Sequence, residues 1–230
     1  MGALRLGRGP FPRQRPIRFA KAPYPASGDN AVIVRNWMAT NVVTIKKEAS
    51  IQEALSLMKQ GSIRHLPVVD STKNLIGWVT DADLRGVLIA SMLEELSLED
   101  VMVRKPVRTH PEAPIEEAAR LLLERKIGGL PVLEGDKLVG VITVVDILSA
   151  FITILGMLGN SSRLDVKITA GADPLDELTR LVHDHQAEVI SICHLPVAEG
   201  KESVYSFRLK KCDLAPIVSA LKKRGFEVAS

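Results

Sequence analysis

Residues 77–84 read GWVTDADL and residues 140–147 read GVITVVDI: glycine, two apolar residues, threonine, two further residues, aspartate and an apolar residue, written twice. The likeness extends far beyond these eight positions. Shifted by 64, Met38–Val69 matches Met102–Leu133 at 12 of 32 places, with EASIQEA over EAPIEEA and IRHLPVV over IGGLPVL. The offset then drops to 63, because DSTKNL has one residue more than EGDKL. An insertion at a polar turn between two apolar runs is what a hairpin tolerates. The chain therefore contains an internal duplication, and any fold it adopts has to accommodate two copies of one unit.

Each copy reads as β-α-β-β-α. A β-rich run (NVVTI, PVRTH) leads to a helix that starts at Ser50, with Glu53 completing a capping box, or at Pro114. Ile51, Ala54, Leu55 and Met58 fall on one helical face, as do Ile115, Ala118, Ala119 and Leu122. HLPVVD and GLPVLE follow as strands, pair across a polar turn with LIGWVT and LVGVIT, and hand over to a second helix at Thr80 or Thr143. A unit of about 60 residues buries too little surface to be comfortable alone. Two copies packed together would cover each other's apolar faces.

The 230 residues have an ordinary globular composition, 46% hydrophobic and 25% charged. The net charge of +3 is uneven: residues 1–28 carry six basic side chains and no acid, leaving −3 on the rest, which argues against a general nucleic-acid surface. That basic head, with five prolines, reads as a disordered tail over 1–30. Cys193 and Cys212 make no disulfide framework, which fits a reducing, cytoplasmic setting. The apolar run 138–159 is interrupted by Asp146, so a membrane span is not expected. Its first part suits a buried strand. Its second, ILSAFITILGMLG, is apolar on all sides and suits a domain-packing or dimer helix.

Thr followed three residues later by an acid caps a helix, and Thr80–Asp83 and Thr143–Asp146 could do only that. The same parts also suit a nucleotide cleft. An aspartate at a helix N-terminus can accept both ribose hydroxyls, while unpaired N–H groups attract phosphate. Gly77 and Gly140 would let backbone approach a flat ring.

In LPVVD…GWVTDADL and LPVLE…GVITVVDI, with the VMVRKPVRTHPEAPIEEAA lead-in to the second copy, the chain resembles a pair of cystathionine-β-synthase (CBS) domains, a Bateman module. The resemblance implies CBS units at 31–97 and 98–158, a pseudo-two-fold pair, and clefts that bind AMP, ADP, ATP or S-adenosylmethionine as regulatory ligands. It also implies ribose binding by Asp83 and Asp146, with Thr80 and Thr143 beside them and the strand residues Val79 and Ile142 next to these. The early strands would line the base through Val43 and Thr44 in one copy and Val107, Arg108 and Thr109 in the other. Arg64 and His65 correspond to Gly128 and Gly129, with Lys126 nearby, so two unequal sites are expected. The one with Asp83 and Arg64 should prefer more phosphate charge, since a guanidinium grips phosphate in a bidentate fork.

Residues 162–230 follow a different pattern, β-α-β-β-α-β, which is ferredoxin-like. They resemble an ACT domain, with Gly171 and Asp173 as possible ligand contacts, although Leu175 stands where that family often has a second glycine. CBS pair followed by ACT resembles bacterial proteins associated with acetoin utilisation. His183 and His185 lie on different faces of a helix, and Cys193 and His194 on opposite faces of a strand, so no metal site is expected. No catalytic constellation stands out. The fold class is α/β (α+β), and the expected role is a non-catalytic, energy-sensing regulatory protein acting as a homodimer on an unidentified protein target, without nucleic acid or membrane. The alternative is an oligomerisation adaptor with no bound nucleotide.

Overall fold

The computed structural model describes residues 32–89, 96–169, 174–196 and 202–229; the basic head, Gly171, Asp173 and residues 197–201 lie outside them. The chain forms two compact units that divide between Val144 and Val145.

In the first unit, both copies build the same elements. The first has α1 (Ile51–Gly61), the hairpin β1 (His65–Val69) and β2 (Leu75–Thr80), and α2 (Asp81–Val87). A one-turn helix α3 (Leu98–Val101) leads to the second copy, with α4 (Ile115–Arg125) and the hairpin β3 (Gly129–Glu134) and β4 (Lys137–Thr143). The helix α5 (Val144–Ile154) starts at the unit boundary. Ser50 caps α1 by accepting the Glu53 N–H, whereas Pro114 occupies the corresponding position of α4 without a side-chain cap. The expected early strands shrink to single parallel bridges, Ile45 to Val68 and Thr109 to Val132. Pro67 and Pro131, beside the two bridged positions, have no N–H with which to extend a ladder.

The copies are joined by exchange. Leading into the first copy, Ile33 bridges to Pro114 and Ala39 to Val141, both in the second. Leading into the second, Ser97 bridges to Ser50 and Val103 to Trp78, both in the first. The far edge of β2 and that of β4 are thus each closed by a segment that belongs, in sequence order, to the other copy. Gly77 and Gly140 serve this exchange. A Cβ on Gly77 would lie 2.2 Å from Met102 Sδ, and one on Gly140 2.5 Å from Met38 Sδ. The repeated glycine thus makes room for a methionine thioether from the opposite lead-in, where the sequence suggested a flat ring.

The core of the first copy gathers Ile51, Ala54 and Met58 of α1, Leu66 and Val68 of β1, Val79 and Leu84, and is completed by Leu98 and Met102 from the lead-in of the second. Burying each Val, Leu, Ile or Met side chain among these contributes roughly 1.5–3 kcal/mol.

The second unit holds the antiparallel sheet β6–β7–β5–β8, from β5 (Ser161–Thr169), β6 (Val189–Pro196), β7 (Glu202–Lys210) and β8 (Glu227–Ala229), with α6 (Leu175–Asp184) and α7 (Ala215–Lys223). Leu164, Val166, Ile168, Phe207 and Leu209 of the sheet share one cluster with Leu178, Leu181, Val182, Ile217 and Leu221 of the helices. The order and strand sequence are those of a ferredoxin-like fold. The helix α5, expected to be covered on every side, buries Ile147 and Ala150 and exposes Val145 and Leu148 at 62% and 56%.

Gly77→Ala should cost about 1–3 kcal/mol, because the new methyl displaces Met102. In urea unfolding, Gly77→Ala with Met102→Ala should lose less than the sum of the single losses. Additive losses would contradict the proposed glycine–methionine contact.

Candidate functional site

The handover from strand to helix is built alike in both copies. The N–H of the first helical residue donates back to the loop before the first hairpin strand, Asp81 to Arg64 O at 2.9 Å and Val144 to Gly128 O at 3.1 Å. This bond fixes Arg64 beside the N-terminus of α2. Thr80 caps that helix: the Asp83 N–H donates to Thr80 Oγ1 at 3.2 Å, and the Thr80 hydroxyl donates to Asp83 Oδ2 at 2.6 Å. Capping is therefore real. It does not hide the carboxylate, because Asp83 is exposed and lines a cavity.

That cavity, about 700 Å³, lies within the first unit and draws on both copies. The first copy supplies Arg64, His65, Trp78, Thr80, Asp81 and Asp83; the second supplies Val103, Lys105, Pro106, Val107 and the 126–129 turn. Of the residues expected to bind nucleotide, Arg64, His65, Thr80, Asp83, Val107, Lys126 and Gly128 thus meet in one place. Val107 joins Asp83 because the exchanged lead-in carries it across to the first copy. Val43 and Thr44, expected to line a base, are not in this lining; both are exposed. Val79 and Ile142, at 1% and 0% exposure, face the interior, since neighbouring strand residues point to opposite sides. Arg108 and Thr109 line a separate depression of about 630 Å³ with His110, Glu112 and Glu117. The buried Thr109 hydroxyl has no partner there among the described residues. Thr143 ends β4, and Asp146 stands in the first turn of α5.

Trp78 and Lys105 were not anticipated. Trp78 sits within the repeated stretch itself, opposite no aromatic in the other copy. The His65 ring lies 5.7 Å from that of Trp78, tilted by 30°. A Cβ on Gly128 would come within 2.8 Å of His65 Nε2, and one on Gly129 within 3.2 Å of Nδ1. The difference between the copies at these positions is therefore steric as well as electrostatic: the glycines of one leave the space that the imidazole of the other fills. Burial, and then the Arg64 charge, hold the His65 pKa below its ordinary value, with Asp83 opposing. Asp81 is held below the usual carboxylate range by Arg85, which donates to it twice, at 2.7 and 2.9 Å.

Among the described residues no group of three or more His, Cys, Asp or Glu is placed to hold a metal ion, and no helix is long and apolar enough to cross a membrane.

The CBS domain family matches residues 34–90 and 98–153. A CBS domain-containing protein of Dictyostelium discoideum is 33% identical over 136 residues, 54% of this chain and 94% of its own length. The chain belongs to the CBS-domain family. Among solved structures, the Vibrio cholerae protein AcuB, named for acetoin utilization, is 34% identical with a TM-score of 0.50, over 55% of this chain and 95% of that one. CBSX2 in complex with AMP is 30% identical with a TM-score of 0.49, over 53% and 97%. Some relatives are much longer. The chain spans 23% of a Methanohalobium evestigatum homoserine O-acetyltransferase, to which it is 36% identical over 115 residues, or half of this chain. Domains of this family are generally regulatory, and the likeness to such enzymes is confined to a part of their length.

His65 links stability to pH. Its charged form is disfavoured in the fold, so below the ordinary value of 6.5 the unfolded chain binds more protons. Stability of the ligand-free protein is full above 6.5 and is lost as pH falls through the lowered folded value. Denaturation profiles between pH 7.5 and 5 should fall more steeply for the native chain than for His65→Gln; parallel profiles would contradict this.

Proposed function

We propose that the chain is a non-catalytic regulatory protein whose first unit binds an adenosine-containing ligand (AMP, ADP, ATP or S-adenosylmethionine) in the cavity at Asp83. One observation carries the reading. A single cavity of the size small-molecule sites have brings an exposed carboxylate at a helix N-terminus together with Arg64, Lys126, and the apolar wall of Trp78, Val103 and Val107. In this reading Asp83 accepts the ribose hydroxyls, Thr80 holds the carboxylate in place, Arg64 meets phosphate, and the apolar wall packs on the base. Asp146, the repeat counterpart of Asp83, takes the same role for a second ligand. The ferredoxin-like unit acts as an ACT-like domain for small-molecule sensing or self-association. The exposed Val145 and Leu148 support homodimer formation. A cytoplasmic, bacterial energy sensor related to the acetoin-utilisation group, acting on a protein target, fits this architecture.

The second reading is an oligomerisation adaptor with an empty cavity. The mutual Thr80–Asp83 hydrogen bonds favour it, because each group already has a local partner.

Thermal unfolding separates the two. AMP at about one hundred times its Kd should stabilise the protein by about 2.7 kcal/mol. Asp83→Asn should weaken binding at least about tenfold, since hydrogen bonds to a charged group contribute roughly 1.5–3 kcal/mol. No response to any adenosine compound would leave the adaptor.

A further inference from the structure

Resting on the adenosine reading and going beyond it, we propose that the cavity at Asp83 sorts ligands by charge. It accepts a 5′-phosphate and rejects a sulfonium, and His65 takes up a proton as the phosphate enters.

The charges on the wall are unbalanced. Arg64, Lys105 and Lys126 line the cavity, against the carboxylates of Asp81 and Asp83. Asp81 is already gripped at both oxygens by Arg85, and Asp83 is the group assigned to the ribose. What remains for the rest of the ligand is cationic, and it comes from both copies. Like charges at close range repel even in bulk water, and opposite charges attract. An S-adenosylmethionine sulfonium is therefore penalised where an AMP phosphate is rewarded. Lys126 strengthens the assignment. It closes α4 in the left-handed region, at φ 53°, where helices usually place glycine. The chain keeps a lysine there at some backbone cost, and Ser62 holds the corresponding place in the first copy with the same φ.

His65 stands at the centre of this arrangement. Arg64 flanks it in sequence, Trp78 faces it from β2, Asp83 acts on it from α2, and Gly128 and Gly129 lie against it at the entry to β3. Lys105, Lys126 and Asp81 share its cavity. With no anion present, burial and Arg64 keep the ring neutral. A phosphate beside Arg64 offsets that cation and adds negative charge, which favours the imidazolium. Affinity for the phosphate ester should then rise as pH falls toward 6.5, by at most about tenfold per pH unit for one proton. The phosphate is itself half protonated at about pH 6, so the gain fades as pH approaches that value.

Calorimetric titration of the full chain with AMP, adenosine and S-adenosylmethionine tests this, at pH 7.5 and 6.5 in two buffers of different ionisation enthalpy. The expected result is AMP binding at least tenfold tighter than the other two, with net proton uptake for AMP alone. His65→Gln should abolish the uptake, leaving only the proton release that the phosphate's own titration contributes near its second pKa. Proton uptake by the native chain stands as a measurement even if that variant folds poorly. Lys126→Gly, which relieves the backbone, should melt no lower than the native chain yet lose several-fold more affinity for AMP than for adenosine. Equal affinities for the three ligands, or AMP binding without proton uptake, would overturn the inference and leave the adenosine reading standing. Failure of all three ligands to bind would overturn both.

Discussion

A methionine thioether resting on a bare stretch of backbone holds the first unit together. Met102 lies against Gly77 and Met38 against Gly140, and each methionine arrives on a segment that leads into the other copy. Because the two contacts are reciprocal, neither copy has a complete sheet without its twin. The cluster around α1 and β1 needs Leu98 and Met102 from the lead-in of the second copy. A unit of this size is marginal alone, and sharing its edges is how the duplication becomes a stable fold.

The same exchange creates the cavity. The chain that delivers Met102 to β2 continues through Val103, Lys105 and Val107, and so runs past the N-terminus of α2 where Thr80 and Asp83 stand. From the other side, the turn at 126–129 reaches the cavity, with the two glycines accommodating His65. A ligand there touches both copies at once. Occupancy can therefore bias how the copies sit against each other, which is the physical requirement for a sensor: a ligand shifts only those equilibria whose states it contacts differently.

The duplication, the helices and the hairpins were legible because they depend on local patterns: apolar spacing in Ile51, Ala54 and Met58, the Ser50 cap, and the polar turns. The cavity's composition was legible only in part. Arg64, Thr80 and Asp83 share one copy, and their partnership follows from the strand-to-helix handover. That Val107 rather than Val43 would join them depends on which copy each lead-in crosses to, and nothing in local propensity encodes that. The glycines mislead for a related reason. Gly77 does mark a close approach, but sequence alone does not say whether a ring or a methionine approaches. The His65–Gly128 fit was visible as a difference between the copies and was read as charge, since complementarity of shape between positions 63 residues apart emerges only in three dimensions.

Hydrogen–deuterium exchange of the full chain, with and without saturating AMP, tests most directly whether the two copies form one site. A ligand seated between the exchanged segments should slow exchange together around Arg64–His65 and Thr80–Asp83 in the first copy and around Lys105–Val107 and Lys126–Gly129 in the second. Protection confined to one copy, or none in either, would contradict a shared cavity as the seat of binding.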